Sequence, residues 1–92
     1  MSEDIIKTVT IRIIGRIAPE ASLERIDPNR RFRDQFDFDS VDFLNFIMEL
    51  QQEFNIRIPE IDYPNLGTLK GCIEYLQPVI GNNEPSAQQD QT

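Results

Sequence analysis

The chain has 92 residues, 39% hydrophobic and 27% charged, with 6 Phe, 2 Tyr and no Trp, which is enough for one small domain with a modest core and too little for a large enclosed active site. Nine Lys and Arg against 16 Asp and Glu leave a net charge of -7, the wrong sign for gripping a nucleic-acid backbone or an anionic membrane surface. With no His and one Cys there is no imidazole base, no catalytic triad built on one and no Cys/His cluster for zinc, so self-contained catalysis is not expected.

The acidic start Met1-Ser2-Glu3-Asp4 lacks the basic character of a targeting segment, and no apolar run approaches the roughly 20 residues of a membrane span. A cytoplasmic protein that does not insert into membranes is expected. From Ser2 to Ile17 two readings compete. Ser2 before two acids is a helix start, and Ile6, Val9, Ile13 and Ile17 recur at helical spacing, whereas Thr8 to Ile13 alternates as a half-buried strand would. Residues 18–39 carry Pro19, Pro28 and Asn29 without a period, and read as a long loop held over the core by Leu23, Ile26, Phe32 and Phe36.

The strongest period begins at Ser40. Phe43, Phe46, Ile47, Leu50 and Phe54 form an apolar stripe opposite Asp42, Asn45, Glu49, Gln52 and Glu53, so an amphipathic helix runs to a stop at Asn55. Val41, Leu44 and Met48 widen its apolar arc beyond one core contact. Between Ile61 and Leu66, Pro64 and Gly67 leave space for at most one helical turn. Thr68 then caps a last helix in which Leu69, Cys72, Ile73 and Leu76 share a face, and Pro78 is expected to end it. Gly71 either weakens that helix or permits close packing, and Cys72 reads as a buried hydrophobe. Residues 81–92 have almost nothing to bury and are expected to be a disordered tail after a domain spanning 1–80.

Charge is uneven along the chain. Residues 34–62 hold eight acids and one base, while Arg25, Arg30, Arg31 and Arg33 crowd the loop before them. Pairing of that loop with the acidic helix is the first expectation, with a second partner-binding surface as its rival; for the acidic stripe, steering of basic partners rivals a merely solvated face. The run Asp37-Phe38-Asp39-Ser40-Val41-Asp42 spaces oxygen ligands as a calcium loop does, but its sixth position is Asp42 in place of Gly and its twelfth is Met48 in place of Glu. Ser40 reads as the N-cap of the best helix, where an attached phosphate would meet the positive end of the helix dipole.

Asp39-Ser40-Val41, the helix through Glu53-Phe54 and the following Ile56-Arg57-Ile58-Pro59-Glu60 together resemble the Asp-Ser-Leu helix and Ile-x-Ile-Pro turn of acyl carrier proteins. The resemblance runs from Phe32 through Thr68-Leu69 to Leu76, and loosely to the N-terminal segment. It implies an all-α fold: a small antiparallel four-helix bundle of three main helices and one short one, with a long first loop and the first segment helical. It also implies that Ser40 carries 4'-phosphopantetheine, transferred from coenzyme A by a phosphopantetheinyl transferase that recognises Asp39. The arm would then hold acyl groups as thioesters. The implied partners are acyl-activating and acyl-transferring enzymes or ketosynthases with basic docking surfaces. They would meet a monomeric carrier at Val41, Asp42, Asn45, Met48, Glu49 and Glu53.

The chain departs from that family at several points. Asp37 stands where Gly is usual, so the turn calls on a residue less suited than Gly to left-handed geometry. Asn45, Gln51 and Gln52 occupy positions that are usually Glu in fatty-acid carriers. Two other functions share the scaffold: an aminoacyl or peptidyl carrier, and an unmodified structural or regulatory subunit. The aromatic residues Phe32, Phe36, Phe43, Phe46 and Phe54 are expected to fill the interior and leave no preformed tunnel for cargo.

Overall fold

A computed structural model describes residues 3–21 and 23–82. Helix α1 is Glu3–Ile17, a one-turn helix α2 is Phe32–Gln35, α3 is Ser40–Phe54 and α4 is Leu69–Asn82, with short 3₁₀ helices at Leu23–Arg25 and Glu60–Leu66. The first segment is therefore a helix, and the competing strand reading fails. Its buried face is Ile6, Thr10, Ile13 and Ile14, while Val9 and Ile17 are only half-buried. Ser2 and residues 83–92, on which the expected helix start and most of the expected tail fall, lie outside the described residues.

Helix α1 packs on α3 and α4, and α4 packs on the Glu60–Leu66 segment. Two ion pairs give the orientation of the first contact: Arg12 meets Glu53 and Arg16 meets Glu49. Four residues forward on α1 match four residues backward on α3, so the two helices are antiparallel. Phe32, Phe46, Ile47, Leu50, Leu66 and Leu76 are among the side chains that close the core, each with essentially no exposed surface. Burying one such side chain stabilises the fold by about 1.5–3 kcal/mol. Phe32, Phe38 and Phe46 meet edge to face with ring centroids 5.4–5.9 Å apart, a geometry that adds about 0.5–1.5 kcal/mol per pair. Phe38 was absent from the expected interior set, and Phe36, Phe43 and Phe54 from that set are only half-buried.

The long loop does lie over the core through Leu23, Ile26, Phe32 and Phe36. Gln35 fastens it: its Oε1 accepts from Asp27 N, and its Nε2 donates to the carbonyls of Asp27 and Arg30, all at 2.8 Å. The Phe32 and Lys70 backbone N–H groups bind the carbonyls of Gly67 and Pro28, tying the loop to the start of α4. Among the described residues the loop arginines do not pair with α3. Arg31 pairs with Asp34 at 3.2 Å and Arg30 donates to the Asp34 carbonyl at 2.8 Å, so these two arginines are held within the loop itself.

Two proline expectations need correction. The Glu60–Leu66 segment holds seven residues with Pro64 inside, longer than one turn. Buried Leu66 anchors its end, and the Tyr75 hydroxyl donates to Asp62 Oδ2 at 2.8 Å to hold it on α4. Helix α4 likewise continues through Pro78, because Ile80 is buried four residues beyond Leu76. That burial is of the same order as the roughly 3 kcal/mol penalty of an interior proline. Thr68 caps α4 as expected, its Oγ1 accepting from Gly71 N at 2.9 Å. A Cβ at Gly71 would run into the Asn65 carbonyl oxygen, which makes close packing the reason for that glycine. Asn55 ends α3 in the left-handed conformation (φ 54°). It is the one non-glycine residue with positive φ among the described residues, so Asp37 makes its turn with ordinary backbone geometry.

Candidate functional site

The start of α3 is built by Asp39, not Ser40. Asp39 is the N-cap, in extended backbone, and its Oδ1 accepts from Asp42 N at 2.9 Å. Asp42 Oδ2 accepts in return from Asp39 N at 3.2 Å, which completes a reciprocal capping box. Ser40 is thereby moved from the expected cap to the first helical position. Its side chain is exposed and its hydroxyl has no hydrogen-bond partner among the described residues. At that position the Ser40 and Val41 backbone N–H groups have no intrahelical acceptor either. An exposed hydroxyl therefore sits at the positive end of a 15-residue helix, a favourable place for a phosphodiester.

A cleft of about 520 Å³ opens beside it, lined by Asp39, Ser40, Phe38, Phe43, Tyr63 and Arg33 among others. This is an open surface cleft and not a tunnel through the core: Phe43 and Tyr63, which meet edge to face at 6.3 Å, stand on its wall at the margin of the core. Arg31 and Arg33 both line this cleft; Arg31 is engaged with Asp34, whereas Arg33 is exposed and has no ion-pair partner among the described residues.

Along α3, Val41 is 64% exposed, Leu44 49% and Met48 55%, an apolar flank that the core leaves uncovered. Asn45 is exposed and Asp42 half-buried on the same helix. Glu49 and Glu53 are not open carboxylates: Glu49 takes both the Nε and an Nη of Arg16, and Glu53 takes Arg12 at 3.3 Å. The carboxylate of Glu49 holds the Arg16 guanidinium more firmly protonated than usual. Gln51 does not belong to this face. It is half-buried and its Oε1 accepts from Ile58 N at 2.8 Å, supporting the loop after α3.

A family model described as a phosphopantetheine attachment site matches residues 6–76, most of the chain. The chain belongs to the acyl carrier protein family. Acyl carrier proteins of Chlorobium phaeovibrioides and Chlorobium luteolum are each 38% identical to it over 53 residues, covering 58% of this chain and 68% of theirs. That of Chlorobium phaeobacteroides is 36% identical over the same lengths. Members of this family are carriers rather than catalysts, and their prosthetic group is 4'-phosphopantetheine. The exposed hydroxyl at the helix start fits such a group. No helix among the described residues is long and apolar enough to cross a membrane.

Sequence reasoning missed the contribution of Arg12 and Arg16. Their signal was present: two cations four residues apart on α1 match two carboxylates four residues apart on α3. Tyr63, Pro64 and Gly67, which complete the cleft, carry no comparable pattern.

Proposed function

We propose that the chain is a non-catalytic carrier that takes 4'-phosphopantetheine on Ser40 and holds acyl groups on it for fatty-acid, polyketide or other specialised acyl biosynthesis. The supporting observation is the division of labour at the start of α3: Asp39 and Asp42 cap the helix, which frees the Ser40 hydroxyl for modification. The arm supplies a terminal thiol for thioester formation. Among the described residues none hydrogen-bonds the Ser40 hydroxyl, and the neighbouring Asp39 and Asp42 carboxylates are engaged in the cap, so activation of the hydroxyl belongs to the transferase, with Asp39 as its recognition residue. Once the phosphodiester is formed, the N–H groups at the start of α3 and the guanidinium of Arg33 favour its negative charge. Val41, Asp42, Asn45 and Met48 are assigned to the docking of acyl-transferring enzymes, with Glu49 and Glu53 at its edge.

The test is incubation of the apo-protein with coenzyme A, magnesium and a broad-specificity phosphopantetheinyl transferase, followed by mass spectrometry of the intact protein and its peptides. The native chain gains one arm at Ser40 and Ser40→Ala gains none. An unmodified native chain would instead favour the structural-subunit reading. Loading with an amino acid, rather than an acyl group, in protein isolated from its producing cells would favour the aminoacyl-carrier reading.

A further inference from the structure

The acidic stripe of α3 was expected to attract partners with basic surfaces, yet little of its charge is available to do so. Of its three carboxylates, Glu49 and Glu53 are matched by Arg16 and Arg12 from α1, and the remaining positions Asn45 and Gln52 are neutral. The third, Asp42, is half-buried and turned into the capping box. An approaching cation several ångströms away therefore meets paired opposite charges whose fields largely cancel. The pairs bridge helices, so α1 is part of the surface: a groove of about 370 Å³ is lined by Arg16 and Ile17 of α1 together with Asp42, Asn45, Met48 and Glu49. Along α3 beyond Ser40 an apolar strip stays open, with Val41, Leu44 and Met48 all about half exposed or more, while Asp39 just before Ser40 is an exposed carboxylate.

We infer that Arg12 and Arg16 are specificity-determining residues of the docking face. By pairing with Glu53 and Glu49 they remove the acidic stripe from long-range steering, and the face selects an enzyme that docks by apolar contact with Val41, Leu44 and Met48 in place of a row of lysines and arginines. This inference rests on the carrier reading above, in which enzymes must reach an arm on Ser40. The four side chains of the two pairs are between 32% and 51% exposed, so the pairs select partners without being essential to the fold.

The test compares kcat/KM for arm transfer from coenzyme A onto the full chain by a transferase whose docking surface is basic, at NaCl concentrations from roughly 25 to 500 mM. The native chain is compared with Arg12→Gln/Arg16→Gln and with Met48→Ser, and thermal melts establish that each is folded. The native rate should vary less than about twofold with salt, while the double arginine variant should be roughly three- to tenfold faster at low salt and converge on native at high salt. Met48→Ser should be slower at every salt concentration. A steep fall of the native rate with salt, or an unchanged double variant at low salt, overturns the inference while leaving the carrier reading intact. A chain that takes no arm at Ser40 in any form overturns the carrier reading and this inference with it.

Discussion

Asp39 and Asp42 cap each other's backbone N–H groups across the first turn of α3, at 2.9 and 3.2 Å. Asp39 therefore has a structural task separate from any recognition by a transferase. Asp39→Ala should lower stability by about 1 kcal/mol, whereas Asp39→Asn, which keeps a capping oxygen, should change it by only a few tenths. Thermal melts measure that difference, and loading rates measure the other task. If the transferase reads the carboxylate's charge, Asp39→Asn remains stable but loads slowly. Equal loading of Asn and Asp forms would show that only the cap matters.

Gly71→Ala should run against helix propensity. In an open helix the change stabilises by about 1 kcal/mol. Here the new methyl meets the Asn65 carbonyl and, at 3.0 Å, Thr68 Oγ1, both belonging to backbone and cap that cannot move freely. A net loss of about 1–3 kcal/mol is expected from this overpacking. Urea unfolding gives the sign directly, and a stabilised variant would show that the segment before α4 yields easily.

Thr10 is fully buried on α1 and its Oγ1 has no hydrogen-bond partner among the described residues. Thr10→Val replaces that hydroxyl with a methyl of similar size and should raise stability by about 1 kcal/mol. A fall in the midpoint of urea unfolding would mean that the hydroxyl is satisfied in solution.

Tyr75 links stability to alkaline pH. Burial, followed by its hydrogen bond to Asp62, pushes its hydroxyl from the ordinary 10 up to about 12. Because the folded value is the higher one, the neutral hydroxyl contributes fully below pH 10, and the contribution is lost as pH rises towards about 12. Tyr75→Phe should cost about 1 kcal/mol at neutral pH through the lost bond and should flatten the decline above pH 10. Unfolding curves across that interval, with tyrosinate absorbance as a second readout, check both statements.

The long helices were legible because their apolar spacing is dense: Phe46, Ile47 and Leu50 fall on the buried side of α3 where the period puts them. Asn55 and Thr68 were legible as helix ends because their side-chain or backbone chemistry acts locally. What the sequence did not display is decided by contacts distant along the chain. Pro78 reads as a stop until Ile80 is seen to be buried beyond it, and Gly71 reads as ambiguous until the Asn65 carbonyl is placed against it. At the site, Ser40 and Asp39 are both good caps by residue type, and only the reciprocal bonds with Asp42 decide between them. The acidic stripe was correctly located, but its neutralisation depends on how α1 lies across α3.

Cys72 lies wholly inside the core, its Sγ 3.4 Å from the Leu66 carbonyl, and burial raises its thiol far above the usual range. It is the chain's one cysteine. On a carrier loaded at Ser40, the polypeptide contributes no competing thiolate near the surface. An activated acyl group then has one sulfur to reside on, and alkylating reagents would count arms without counting the chain. The interior that stabilises the bundle thus also keeps the cargo's address unique.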